Sequence, residues 1–264
     1  MKYIIFLLSL WLGVGLYAQD GRQFTIDLSN PGQKGLLNIS SQHGPVIIKG
    51  TNRKDILIQY QSLEQEGIKF TEMENGLTKI SGGAPGFDVY EQDNKVQIES
   101  SFMNKGVSFN IEVPVAFDIS VQAFMQGDVK VENVKGEVVI ENFNGGIEAT
   151  GISGHVIANS FNGPIKVSFN EVTPDTPMAF TNHNGNVDLT FPANLQADFK
   201  VKTDMGDLYT GFEMDVTQEQ LQKENKEGKW QRTFLGGWIN ARVNGGGPEI
   251  KVKTHNGDVY IRKK

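Results

Sequence analysis

The chain repeats its own pattern every 18 residues through its middle. After Gly127 it reads D-V-K-V-E-N-V-K-G-E-V-V-I-E-N-F; after Gly145, 18 positions on, it reads G-I-E-A-T-G-I-S-G-H-V-I-A-N-S-F. Apolar residues match in pairs: Val129 with Ile147, Val131 with Ala149, Val134 with Ile152, Val138 with Val156, Ile140 with Ala158, Phe143 with Phe161. Gly136 falls on Gly154, and a third copy opens with Ile165 and Val167. A unit this short cannot bury its apolar face alone, so such units stack as coils. Stacked coils lie about 4.8 Å apart, the spacing of paired strands. Val129, Ile147 and Ile165 are then expected to form one inward ladder, and Val131, Ala149 and Val167 a second. Phe143 and Phe161 are expected to stack at a corner. Lys130, Glu148 and Lys166 would point outward with alternating sign, so that neighbours attract.

Period-2 alternation extends well beyond the strict repeat, for example in I-L-I-Q-Y (56–60), V-S-F-N-I-E-V (107–113) and D-F-K-V-K (198–202). Asn-Gly and related pairs punctuate it, because glycine accepts a left-handed backbone cheaply. Gly44, Gly127, Gly145, Gly163, Gly185, Gly206 and Gly257 each stand just before an alternating run, and are read as the turn glycines of successive coils. Their spacing stretches to 22 residues at Gly185 and to 51 between Gly206 and Gly257. The expected fold is all-β: a single-chain β-solenoid, in the form of a right-handed β-helix, with roughly 18–22-residue coils. Left-handed helices also use 18-residue coils, but usually with strict hexapeptide units that are not seen here. Residues 19–110 are read as a less regular N-terminal part that caps the stack, and 111–264 as the regular repeats with a charged insertion at 213–233. Within that insertion, Asp215 to Lys229 reads as a short exposed helix or an excursion, Thr217 with Gln220 fitting a capping box. Trp230, Phe234 and Trp238 follow and are placed to pin the excursion to the solenoid.

Residues 1–18 read as a signal peptide. Lys2 is a small basic region, Tyr3 to Leu16 are an apolar run of 14 residues, and Ala18 precedes the expected cut before Gln19. That run is short for a membrane span, and no other stretch is long and apolar enough to cross as a helix. Export is therefore expected, to the periplasm, the outer-membrane surface or the medium. The formal net charge of −6 argues against nucleic acid or anionic lipid as a partner. With no cysteine there is no disulfide, thiolate metal site or lipidated cysteine.

The ending N-G-G-G-P-E-I-K-V-K-T-H-N-G-D-V-Y-I-R-K (244–263) resembles the C-terminal signature of the DUF4097 family of β-strand repeat proteins, which carry the label of candidate adhesins. The F-N-G-x-I and V-x-G-x-V units are similar to its internal repeats, and the resemblance covers roughly residues 35–264. It implies an exported β-solenoid at the bacterial cell envelope and no defined catalytic residues.

Candidate chemistry is sparse. His43, His183 and His255 stand at turns, where imidazoles can gather on a metal or merely decorate the turn; their wide spacing means they need not be neighbours. His155 is read as solvated. Asp128, Asp207 and Asp258 each follow a glycine, but neither the calcium nonapeptide nor an EF-hand loop is present, so turn capping is the simpler reading. Glu137, Glu141 and Glu148 with Lys130 and Lys166 are the residues a polysaccharide-cleaving site would use, although solvated charge on an outer face is commoner. Gly245-Gly246-Gly247 leads into Pro248 and a strand, which does not make a phosphate cradle. Tyr209, Trp230, Trp238 and Tyr260 are the aromatics available to stack on sugars. No catalytic residue, metal ligand or cofactor is assigned. The expected function is a non-catalytic exported cell-envelope or cell-surface protein acting in adhesion, its partner an unidentified surface ligand, protein or glycan. One alternative is a periplasmic scaffold or signalling partner that binds another envelope protein; the other is a polysaccharide-binding or polysaccharide-active β-helix protein.

Overall fold

A computed structural model describes residues 22–63, 69–72, 78–81, 86–100, 106–218 and 237–264. The expected signal peptide and its Ala18–Gln19 cut lie outside the described residues, as do Trp230 and Phe234. In chain order the strands are β1 (Arg22–Ile26), β2 (Gly35–His43), β3 (Val46–Thr51), β4 (Ile56–Ser62), β5 (Lys69–Glu72), β6 (Thr78–Ser81), β7 (Phe87–Gln92) and β8 (Lys95–Ser100). Next come β9 (Val107–Pro114), β10 (Phe117–Met125), β11 (Val129–Glu132), β12 (Lys135–Asn144), β13 (Ile147–Asn162), β14 (Ile165–Val172) and β15 (Met178–Asn184). The chain ends with β16 (Val187–Phe191), β17 (Ala197–Met205), β18 (Leu208–Thr210), β19 (Asp215–Gln218), β20 (Ile239–Val243), β21 (Glu249–Asn256) and β22 (Val259–Lys263). Apart from the β5–β6 hairpin, these strands belong to one continuous sheet folded into a two-faced, all-β solenoid. Among the described residues no helix is long and apolar enough to cross a membrane.

Each coil contributes one strand to each face. Face A stacks β8, β2, β10, β12, the second part of β13, β15, β21 and β17 in parallel. Face B stacks β9, β3, β11, the first part of β13, β14, β16, β22 and β18 in parallel. Antiparallel strands finish the ends: β7 on β8, β4 and β1 on β9, and β20 and β19 beyond β17.

Stack order is not chain order. The coil β2/β3 lies between β8/β9 and β10/β11, and the C-terminal coil β21/β22 lies between β15/β16 and β17/β18. Reading the turn glycines as coils stacked in chain order therefore gave the wrong neighbour for Gly185, which meets Gly257 and not Gly206, while Gly206 and Gly257 do adjoin. The 51-residue gap between them holds β19 and β20, and the chain then returns to fill a place between coils already laid down.

Alternation sets the interior. On face A, Ile39, Val121, Ile140, Ala158, Phe180 and Val252 meet in register and are buried, the small Ala158 leaving room for Phe180. On face B, Val129 pairs with Val46 and Ile147, Ile147 with Ile165, and Ile165 with Val187. Val131, Ala149 and Val167 align beside them, and all are buried. Burying one such side chain is worth roughly 1.5–3 kcal/mol. A coil offers only a few of them, so its stability depends on the coils to either side.

The seven turn glycines form one column, in the stack order Gly44, Gly127, Gly145, Gly163, Gly185, Gly257, Gly206. A methyl group built on any of the last six would strike the carbonyl oxygen of the glycine one coil before it; at Gly185 the gap to Gly163 O would be 2.7 Å. The position thus demands glycine by close approach, and at Gly44, Gly145, Gly163, Gly185 and Gly257 by a positive φ as well.

The expected helix in the insertion does not form over Asp215–Gln218. This segment is β19, paired antiparallel with β20 from Asp215↔Arg242 to Gln218↔Ile239. A cross-strand ladder beside β20 satisfies more backbone groups there than one capping box would. The rest of the insertion lies outside the described residues.

Candidate binding groove

In four coils the residue before the Asn-Gly turn is aromatic and points outward on face A: Phe143, Phe161, His183 and His255. The flanking registers Asn144↔Asn162, Asn162↔Asn184 and Asn184↔Asn256 place the four in one column. Their rings stack nearly parallel, with centroids 4.9 Å apart for Phe143–Phe161, 4.6 Å for Phe161–His183 and 4.9 Å for His183–His255. Phe143 and Phe161 keep 53% and 42% of their surface exposed. Phe124 takes the same place one coil earlier, since the preceding Ala123 pairs with Asn142. At the other end Asp204 follows Thr203, which pairs with Thr254, and its carboxylate lies 3.0 Å from His255 Nδ1. That hydrogen bond, reinforced by Lys202, holds the Asp204 carboxyl below the usual carboxylate range.

Two polar columns fix this ladder. On its turn side, Asn162 Nδ2 donates to Asn144 Oδ1 and Asn184 Nδ2 to Asn162 Oδ1, both at 2.9 Å. On its strand side lie the buried residues Asn142, Ser160, Asn182 and Thr254, which donate to turn-glycine carbonyls: Asn142 Nδ2 to Gly127 O and Asn182 Nδ2 to Gly163 O at 2.9 Å, Thr254 Oγ1 to Gly185 O at 3.2 Å. Ser160 Oγ bridges Gly145 O and Gly163 O. The turn, the glycine beneath it and the ring beside it are thus one cross-braced unit, repeated per coil. Asn142 and Asn182, each 3% exposed, leave a carboxamide oxygen without a donor.

A groove of about 630 Å³ runs along the stack beside the ladder. One wall is the ladder. The other is a column two residues earlier on each strand: Gln122, Glu141, Asn159, Thr181 and Lys253. Inside the ladder each ring covers its neighbour's face, so the rings present their edges to the groove. The aromatics expected to stack on sugars are similarly occupied. Tyr209 and Tyr260 stack on each other at 4.9 Å, with the Arg262 guanidinium 5.1 Å from the Tyr260 ring centre. Trp238 has the Lys200 and Lys251 ammoniums each 5.2 Å from its ring centre.

The remaining candidates fall elsewhere. His183 and His255 are direct neighbours although 72 residues separate them, because β21 inserts beside β15; their wide spacing was no guide. His43 pairs with Met125, in the column next to the ladder. His155 is partly buried, with Nε2 3.3 Å from Glu137, where solvation was expected. Asp128 accepts from Gly146 N at 2.8 Å and Asp258 from Asp207 N at 3.0 Å, each bracing the turn of an adjacent coil. Glu148 lies on face B between Lys130 (3.4 Å) and Lys166 (3.8 Å), whereas Glu137 and Glu141 belong to face A. These acids do not converge. Gly245–Gly247 lie in the turn between β20 and β21, where Gly246 N donates to Val243 O at 3.0 Å. Among the described residues no three His, Asp or Glu side chains gather as a metal site. The ladder was half legible, since [Phe/His]-Asn-Gly occurs four times; the facing column has no repeated residue type, and register alone reveals it.

Two solved structures are similar over most of the chain. One is a candidate cell adhesion protein from Clostridium sporogenes, 14% identical, with a TM-score of 0.48, covering 92% of this chain and 100% of that one. The other is a candidate adhesin from Bacteroides fragilis, 12% identical, with a TM-score of 0.43, covering 94% and 98%. No curated protein matches. The Toastrack DUF4097 family model matches residues 19–262, and the chain belongs to that family.

Proposed function

We propose that the chain is a non-catalytic protein exported to the cell envelope, which engages an elongated partner along face A in the manner of an adhesin. The carrying observation is the outward ring column Phe143–Phe161–His183–His255 with its groove, continuous from coil to coil. The interior is filled without these rings, and a contiguous exposed apolar row is the mark of an interaction site. Export rests on Lys2, the apolar run from Tyr3 to Leu16 and the small Ala18. The non-catalytic reading rests on acids that lie on opposite faces, with Glu148 already engaged by two lysines. A scaffold joined by strand addition has less support, because antiparallel or three-residue strands finish the stack, the usual way of blunting an edge.

The absence of cysteine gives a direct test. Lys166→Cys introduces one thiol at a side chain that is 62% exposed. Labelling of intact cells by a membrane-impermeant maleimide is expected and places the protein on the surface. Labelling only after the outer membrane is opened would replace the adhesin with a periplasmic scaffold. Labelling only after lysis would refute export.

A further inference from the structure

The wall facing the ladder differs from every other polar column described above. Gln122, Glu141, Asn159, Thr181 and Lys253 align through the registers Gln122↔Glu141, Glu141↔Asn159, Asn159↔Thr181 and Thr181↔Lys253. No side chain of the five hydrogen-bonds or ion-pairs with another described residue. Several other columns are closed. Asn144, Asn162 and Asn184 bond to each other, Lys130, Glu148 and Lys166 form a chain of ion pairs, and Asp188 takes Arg262 at 2.7 and 3.0 Å. What sets this column apart from the equally unengaged Lys49, Glu132, Thr150, Ser168 and Thr190 of face B is the groove and ring ladder beside it. Beside the groove, five consecutive coils present polar side chains that engage no other described residue.

Building on the reading of this face as the binding face, we propose that the groove binds a linear glycan laid along the stack, about one sugar unit per coil. The chemistry of the column selects it. Glutamate only accepts, lysine only donates, and glutamine, asparagine and threonine do both. A ligand that serves all five in succession must repeat a group able to donate or accept at each step, and a sugar hydroxyl is such a group. The C–H edges of the sugar chain then lie against the ring edges of Phe143 and Phe161. The rings contribute an apolar rail, and the hydrogen-bonding column contributes selectivity.

Other occupants fit less well. An acyl chain would cover five polar groups and pair none of them. Nucleic acid would set phosphates against Glu141 and Asp204 in a chain of net charge −6. An extended peptide advances about 3.3 Å per residue against about 4.8 Å per coil and loses step at once. A polyproline helix comes closer, three residues spanning about 9.3 Å against two coils, but a proline-rich chain offers few donors.

The test is calorimetric titration of the chain lacking residues 1–18 with cello-, chito- and malto-oligosaccharides of two to six units, and with a proline-rich decapeptide. At least one sugar series is expected to bind saturably, tightening up to about five units. Asn159→Ala with Thr181→Val, both on the outer face, is expected to weaken it about tenfold or more while the melting temperature holds; Lys166→Ala on face B is expected to change nothing. The proposal is overturned by no sugar binding at millimolar concentration, by sugar binding indifferent to the double variant, or by sensitivity to that variant in the decapeptide alone. A surface-labelled protein that binds no sugar would lose this inference and keep the adhesin; a sugar-binding protein labelled only after lysis would do the reverse.

Discussion

Gly185 illustrates how little freedom a single position has in this stack. Its φ of 137° lies where side chains are rarely tolerated, and a methyl group would sit 2.7 Å from Gly163 O, backbone that cannot move without shifting a whole coil. Gly185→Ala is therefore expected to cost about 2–4 kcal/mol, read as a lower urea midpoint at unchanged m-value; a loss under about 0.5 kcal/mol would mean the turn relaxes. Asp204 makes a second residue-scale prediction. The His255 hydrogen bond lowers its folded pKa below the unfolded one, so its contribution is present above the unfolded pKa, about 3.9, and is lost as pH falls through the folded value. Asp204→Asn is expected to lower the melting temperature at pH 6, with a deficit that shrinks as the pH falls below about 3.9; a deficit that does not change with pH would assign the effect to packing. The glycine was readable from Asn-Gly and an alternating run alone. The groove column was not, because Gln122, Glu141, Asn159, Thr181 and Lys253 share a position and no residue type.

At the scale of strands, alternating charge up face B does what alternating hydrophobicity does inside. Glu148 lies between Lys130 and Lys166, and each cross-strand attraction is worth roughly 0.2–1 kcal/mol. Glu148→Lys turns two attractions into two repulsions, so a loss of about 1–2 kcal/mol is expected at low salt, shrinking by half or more in 1 M NaCl, where screening acts within about 3 Å. A loss insensitive to salt would mean that backbone packing at this position matters more than charge. The middle strands were legible because β12, β13 and β14 follow one another at a strict 18-residue period. Asp215–Gln218 misled because its local composition favours helix, while its conformation is set by β20, which comes more than 20 residues later. A local propensity yields to an available sheet edge.

The molecule as a whole closes by insertion. In a simple solenoid the last coil of the chain touches one neighbour, and deleting it shortens the stack by one unit. Here the last coil, β21/β22, has β15/β16 on one side and β17/β18 on the other. Removing Glu249–Lys264 therefore breaks two interfaces and leaves β17 and β18 without their parallel partners. Repetition in sequence cannot reveal this, since a period reports which segments are alike and leaves open which of them touch. The expected consequence is that the deleted chain loses amide-exchange protection over β17, β18 and β20 as well as at the newly bare β15 and β16, while β10–β14 stay protected. A synthetic peptide spanning Glu249–Lys264, added in trans, should restore protection to β17 and β18, because the vacated slot is bounded on both sides by strands already in register. If the deletion lowers the m-value by a single coil's worth and leaves β17 and β18 protected, then β17/β18 packs directly on β15/β16, and the insertion is no part of how the stack is held together.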